Sequence, residues 1–333
     1  MPPAAGVDPE KILSELHDLW SRLGSEHEGG VLRACSTTFI VAADSPEDAE
    51  TVRKMTGALM HAHPHRAIVL CPCDGAELSA RVFAECWMPM GTHQQICSEG
   101  IEITADPTEA DDVARLLLPL IAPDLPVVLW CRGGRAFRDR AVDSLIPLGA
   151  KVMFDTGAAR HAPSAIAFLR RVRQQGMQVG LRQSRRVADL AWTRLTPWRE
   201  AVAHFFDDRP GKWQTISSAR VVHGHAASNS NAANGNSIPD SGSIYFSRWL
   251  ERSMPLAGVS LELDAAAGPG LQSVVFTGQA EEIRIALADG TCLEITSDGT
   301  TNRSALPPLD EETLVRQELS ILDGDPVFEK VLA

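Results

Sequence analysis

The chain of 333 residues is short of most features that announce a chemistry. No apolar run approaches the roughly 20 residues that a membrane-spanning helix needs, so no membrane partner is expected. The opening residues MPPAAGVDPEK have neither a positive segment nor an apolar core, so no secretory signal is expected there. The seven cysteines, at 35, 71, 73, 86, 97, 131 and 292, are odd in number and scattered. They read as reduced, partly buried thiols of a cytoplasmic protein, not as a disulfide framework. The sequence has no internal repeat, no G-x-G-x-x-G, no G-x-x-x-x-G-K-[ST] and no G-x-S-x-G. Dinucleotide, P-loop and nucleophile-elbow chemistry are all without their local signatures. No catalytic residue, no metal and no cofactor is assigned.

Lysine is scarce as well: 26 of the 31 basic residues are arginine. Guanidinium is the better group for planar, bidentate pairing with carboxylate or phosphate. A net charge of −12 argues against a nucleic-acid partner. The charge is uneven, because residues 132–199 hold fourteen Lys or Arg and only four acids. What remains is ordinary globular composition, with 44% hydrophobic and 22% charged residues.

Hydrophobic periodicity organises the chain. Ile12, Leu16, Leu19, Trp20 and Leu23 recur at helical spacing over 9–23, behind Asp8 as cap and Pro9 at the first helical position. A strand over 31–43 precedes a second helix that starts at Ser45-Pro46-Glu47 and runs to about 62. Residues 67–71 and 126–131 are short continuous apolar runs, typical of strands buried on both faces. Alternating stretches near 79–88 and 94–104 predict an antiparallel pair. Helices are expected over 107–121, 136–147 and 163–175, with a strand at 151–155. Buried strands alternating with helices signal an open sheet with crossover connections.

From about 210 the pattern changes to strands at 213–223, 258–264, 272–277, 281–288 and 291–297, with helices near 243–253 and 310–321. Asp289-Gly290 between two of these strands is a hairpin signal. The expected fold is therefore α/β. An open mixed or parallel sheet forms an N-terminal domain over 1–208, and a smaller antiparallel α+β domain covers 209–333. Within the latter, residues 226–243 are small and polar and read as a flexible surface loop.

Four local patterns bear on function. Arg132-Gly133-Gly134-Arg135 lies between a buried strand and a helix, where open sheets put ligands. It is a candidate phosphate-binding loop, or a plain turn that uses glycine for close packing. Cys71-Pro72-Cys73 is a candidate redox pair, or two idle thiols, and lacks the C-x-x-C spacing of thioredoxin-like proteins. His61, His63 and His65 alternate but have no completing ligands at metal-binding spacing. The densest signal is Asp189-Leu190-Ala191-Trp192-Thr193-Arg194-Leu195-Thr196-Pro197-Trp198-Arg199. Thr196 reads as the cap of a helix that begins at Pro197. Trp and Arg are enriched at interface hot spots, and both indoles equally suit a core.

This run resembles the D-L-A-W-T-R-L-T-P-W-R of the glucose-6-phosphate dehydrogenase assembly protein family, OpcA. Other segments agree in order: His63-Pro64-His65-Arg66, Leu125-Pro126-Val127-Val128-Leu129-Trp130, and the tail from Glu318-Leu319 to Asp325-Pro326-Val327-Phe328. Cys131 stands where the family has a second tryptophan. The resemblance implies a non-catalytic accessory protein. It would bind glucose-6-phosphate dehydrogenase and promote its assembly or allosteric activation, feeding NADPH supply through the oxidative pentose phosphate pathway. On that reading Trp192, Arg194, Thr196, Trp198 and Arg199 are candidate partner-binding residues. The alternative is a sugar-phosphate- or nucleotide-binding enzyme built on Arg132, Gly133, Gly134 and Arg135.

Overall fold

The computed structural model describes residues 7–26, 31–88, 91, 95–138, 142–178, 185–224, 238–279 and 281–333. The chain forms two compact units that interleave in sequence. The first comprises Met1–Asp155, Val172–Ala188 and Val315–Gly324; the second comprises Thr156–Arg171, Asp189–Leu314 and Asp325–Ala333.

In chain order the first unit begins with α1 (Pro9–Glu26), β1 (Val31–Arg33), β2 (Thr37–Ala42), α2 (Pro46–Leu59), β3 (His65–Pro72), β4 (Ser79–Trp87) and β5 (Gln95–Ala105). It continues with α3 (Ala110–Leu117), β6 (Val127–Cys131), β7 (Lys151–Phe154), the end of α4 (Ala162–Gln178) and most of β8 (Arg186–Asp189). The sheet order is β1-β5-β3-β2-β6-β7-β8, with β4 pairing antiparallel to β5. The chain runs outward from β2 through β3 to β5, then returns to the other side of β2 with β6, β7 and β8. That is the order of a doubly wound dinucleotide-binding sheet, and β2/β6 is its switch point. β2 runs parallel to both β3 and β6, β3 to β5, and β6 to β7. Phe39, Ile40, Val41, Ile68, Val69 and Leu129 are wholly buried, as expected of strands with helices on both faces.

Two buried charged side chains of this unit, Glu99 and Lys151, are paired. Glu99, 1% exposed, accepts hydrogen bonds from Arg66 Nε, Arg33 Nη2 and the Trp20 indole, each at 2.6 Å. Burial raises its pKa, but the Arg66 charge and these bonds outweigh that and hold the carboxyl below the ordinary range. The network ties α1 to β5. Lys151 Nζ donates to the carbonyls of Glu318 and Ile321 and to Glu318 Oε2 at 2.6–2.7 Å. It thereby serves the carbonyls at the end of α8 (Glu311–Ser320).

The second unit contains α5 (Leu190–Thr193), α6 (Thr196–Asp207), β9 (Ile216–His223), α7 (Ser241–Ser253), β10 (Gly258–Leu263), β11 (Leu271–Gly278), β12 (Glu282–Ala288), β13 (Cys292–Ser297), β14 (Thr300–Ala305) and α9 (Pro326–Leu332). Its sheet order is β10-β9-β11-β12-β13-β14. The sheet is antiparallel as expected except for β9 and β10, which run parallel. Parallel neighbours need a crossover of a dozen or more residues, and α7 supplies it. Asp289 and Gly290 both take positive φ, as the hairpin reading requires.

Three expectations need correcting, and a fourth lies mostly outside the described residues. The helix over 136–147 is not formed among the described residues; single 3-10 turns stand at Arg135–Phe137 and Ile146–Leu148, while 139–141 lie outside the described residues. The cysteines are not all reduced, because Cys86 and Cys97 are joined by a disulfide. They lie directly opposite each other on β4 and β5, a relation set by strand register that spacing alone does not show. Thr196 does not cap α6. The backbone of Arg194 and Leu195 is already helical after α5, so no extended cap residue exists, and Thr196 Oγ1 donates to the Thr193 carbonyl. Finally, the expected loop over 226–243 falls mostly outside the described residues, and its last three belong to α7, capped by Asp240.

Candidate functional site

The 189–199 run folds inward. Asp189 is wholly buried at the end of β8. Its Oδ1 accepts from the backbone N–H groups of Thr156 and Ala191 at 3.0 Å, and its Oδ2 from Thr156 Oγ1 at 2.6 Å and Tyr245 OH at 2.7 Å. Burial, then the Asp189 charge, pushes the Tyr245 pKa well up, so the phenol stays a donor. Trp192 is 2% exposed and donates its indole N–H to Asp325 Oδ2 at 2.7 Å. The other oxygen of Asp325 caps α9 at Val327 and Phe328. Phe328 stacks on Trp192 at 5.5 Å and Tyr245 meets it edge-on at 6.4 Å. The Arg199 guanidinium lies 3.8 Å from the Trp192 ring centre, and its Nη2 donates to Thr196 Oγ1 at 2.9 Å. Trp198 is 5% exposed, against Phe246. So both indoles sit in the core of the second unit, while Arg194, Thr196 and Arg199 are half-buried.

The 132–135 loop sits at the switch point of the first sheet. The Arg132 guanidinium makes a two-pronged pair with Asp48, Nη2 to Oδ1 at 2.7 Å and Nε to Oδ2 at 2.9 Å, and stacks over Trp130 at 4.3 Å. Asp44 Oδ1 accepts from the Arg135 backbone N–H at 3.0 Å. Gly133 has φ +66°, and a side chain there would run into the Asp44 carboxylate. At the start of α2, Ser45 Oγ takes the Asp48 N–H and Asp48 Oδ2 takes the Asp44 N–H. A dinucleotide's pyrophosphate sits on the helix N-terminus after the first strand of such a sheet. Here Asp44 and Asp48 occupy that place and use its donors, so these residues do not fit the group. Beside them lies a largely apolar cavity of about 80 Å³ whose walls include Leu70, Ile103, Val113 and Leu145.

Cys71 and Cys73, at and just beyond the end of β3, are free thiols, and burial raises the Cys71 pKa. Among the described residues no three His, Cys, Asp or Glu side chains are placed to hold a metal. His65 is buried with Nδ1 2.6 Å from the His63 carbonyl, and burial pushes its pKa down to about 4. His61 packs on Trp87. Sequence reasoning misses Asp325 as the partner of Trp192. The available signal is Asp325-Pro326, a cap followed by Pro at the first helical position, which also announces α9.

The chain is similar to an NAD binding oxidoreductase from Klebsiella pneumoniae, 11% identical, covering 89% of this chain and 93% of that one with a TM-score of 0.50. A super-repressor mutant of Gal80p from Saccharomyces cerevisiae is also similar, 9% identical over 89% of this chain and 93% of that one, with a TM-score of 0.49. These likenesses concern the fold. By sequence, residues 56–174 match the N-terminal domain of the glucose-6-phosphate dehydrogenase subunit family, OpcA, and residues 185–332 match the C-terminal domain of the same family. The chain belongs to this family. It is 25% identical over 149 residues to the putative OxPP cycle protein OpcA of Synechocystis, covering 44% of this chain but only 30% of that protein's length. No helix among the described residues is long and apolar enough to cross a membrane.

Proposed function

We propose that this chain is a non-catalytic accessory protein of the cytoplasm that binds glucose-6-phosphate dehydrogenase and promotes its assembly or its active state. Family membership across both matched segments carries the reading. The geometry agrees with it. Asp189, Trp192 and Trp198 are spent on holding the second unit together. At the switch point of the first sheet, Asp44 and Asp48 stand where a cofactor phosphate would need donors. A sugar-phosphate or nucleotide enzyme built on Arg132–Arg135 would have to break those contacts.

Such a factor acts by binding the active form of the enzyme more tightly than the inactive one. Within the 189–199 run, Arg194, Thr196 and Arg199 are the residues proposed to reach a partner, with Trp192 and Trp198 supporting them from inside. The test is dehydrogenase from the same organism, assayed with and without this protein at fixed salt. A higher kcat or lower KM for glucose 6-phosphate, with co-elution on size exclusion, is expected. No change in rate and no complex would overturn the reading.

A further inference from the structure

The aromatic packing that starts in the buried run reaches the surface. Trp198 meets Phe246 at 6.1 Å, and Phe246 meets Trp249 at 5.5 Å. Trp249 in turn lines an open cleft of about 290 Å³ at the C-terminal ends of α6 and α7. Val202 and Phe206 of α6, Met254 after α7, and Trp213 from the turn before β9 complete its apolar walls. Trp213 is 40% exposed. An indole left in water at the edge of an apolar cleft has the character of an interface anchor, since Trp is the side chain most enriched at hot spots.

The charge around the cleft selects its occupant. Among the described residues that line it, Asp207 alone is charged. Both helices end there, α6 at Asp207 and α7 at Ser253. A helix C-terminus carries roughly half a negative charge, and an indole face attracts cations. Nearby cations are turned to other work. Arg209 lies 4.4 Å over Phe205 and donates to its carbonyl. Lys212 is held by Glu281 and Asp298. Neither these nor Arg252 lines the cleft.

We infer that this cleft is a docking site for a protein segment that presents a bulky apolar side chain next to a lysine or arginine. The apolar group enters between Trp213 and Trp249, and the cation meets Asp207 and the helix ends. The assignment of that segment to the dehydrogenase rests on the proposed function.

Trp213→Ser and Asp207→Lys test it, since both positions are exposed and an unchanged urea midpoint shows that each variant folds. Each is expected to raise the dissociation constant for the dehydrogenase at least tenfold by titration calorimetry, with the activation at saturation unchanged. Wild-type affinity in both variants overturns the cleft and leaves the proposed function standing. If the wild-type chain forms no complex with the dehydrogenase, the proposed function falls and a direct probe decides the cleft. The amidated peptide Lys-Leu-Phe-Arg should then shift the indole N–H resonances of Trp213 and Trp249, and Glu-Leu-Phe-Glu should not. Equal response to the two peptides, or none to either, overturns the inference.

Discussion

At the ends of β2 and β6 the chain sets the Arg132 guanidinium against Asp48 and the Arg135 backbone N–H against Asp44; at the ends of α6 and α7 it sets two tryptophans against a single aspartate and solvent. The first region is where a doubly wound sheet receives its ligand. It carries the one loop that looks like a phosphate site, and Asp48 pairs with the Arg132 guanidinium while Asp44 accepts from the Arg135 backbone. The second has no motif, and its apolar walls stand open to solvent. Polar pairing closed on itself marks a place that has stopped recruiting anions, whereas exposed apolar surface beside a polar rim marks a place that recruits. A loop's sequence therefore says less about its function than whether its polar groups are already satisfied.

The sharpest way to break this contrast is inside the second unit. Trp192→Ala removes the stacking with Phe328, the edge contact with Tyr245 and the donor to Asp325. It should cost about 3–5 kcal/mol of stability in urea denaturation. Trp213→Ser, on the cleft, should stay within about 0.5 kcal/mol. Equal costs would mean that the two indoles are not divided into a structural and a surface role.

Next in size is the switch point. Asp48 and Arg132 side chains are 19% and 9% exposed. Breaking a pair that is mostly shielded from water strands the remaining charge, so Asp48→Ala should cost about 2–4 kcal/mol in the same assay. A cost near zero would show that the pair is solvated like a surface ion pair, and the view of a site closed from within would fail.

How far these features are legible in the sequence differs element by element. The buried strands at 67–71 and 126–131 are plain, because a strand covered on both faces has no polar alternation to confuse it. The hairpin at Asp289-Gly290 is equally plain, yet the same dipeptide at Asp298-Gly299, also with positive φ at both residues, goes unread together with β14. β14 carries Thr-Thr-Asn-Arg-Ser-Ala and is exposed at nearly every position, so hydrophobic pattern cannot announce it. The disulfide is hidden for another reason: Cys86 and Cys97 meet only through the register of β4 and β5. At the site, the 189–199 run is conspicuous by composition, but which way its side chains face is a tertiary fact. Asp325 lies 133 residues from the indole whose proton it accepts. Asp44 and Asp48 are likewise invisible as partners of a loop some 90 residues on.

A pH series probes the strands beneath the switch point. His65 on β3 is buried with its pKa pushed down to about 4, against an ordinary 6.5. Above pH 6.5 the ring is neutral folded and unfolded, and its burial carries no penalty. As pH falls from about 6.5 toward about 4, the unfolded chain takes up a proton that the folded chain refuses, so stability is lost. The loss approaches about 1.4 kcal/mol per pH unit across that window, or about 2 kcal/mol between pH 7 and pH 5. His65→Met removes this component alone. The stability gap between wild type and variant should shift by that amount from pH 7 to pH 5, and a gap independent of pH would mean that water reaches the ring.

The smallest expected effect is the most discriminating. NADP, glucose 6-phosphate and 6-phosphogluconate should leave the melting temperature of the wild-type chain unchanged. A ligand at a hundred times its dissociation constant would add about 2.7 kcal/mol, several degrees in a domain of this size. An anion bound at the start of α2 must face Asp44 and Asp48 and compete for N–H groups that Ser45 and Asp48 already occupy. If NADP does stabilise the chain, the diagnostic step is to repeat the melt with Arg132→Met. Loss of the shift would place the ligand on Arg132, and the Asp48 pair would then be a gate that the phosphate opens, not a permanent closure. The two regions would in that case be alike, each waiting for a partner, one for an anion and one for a cation.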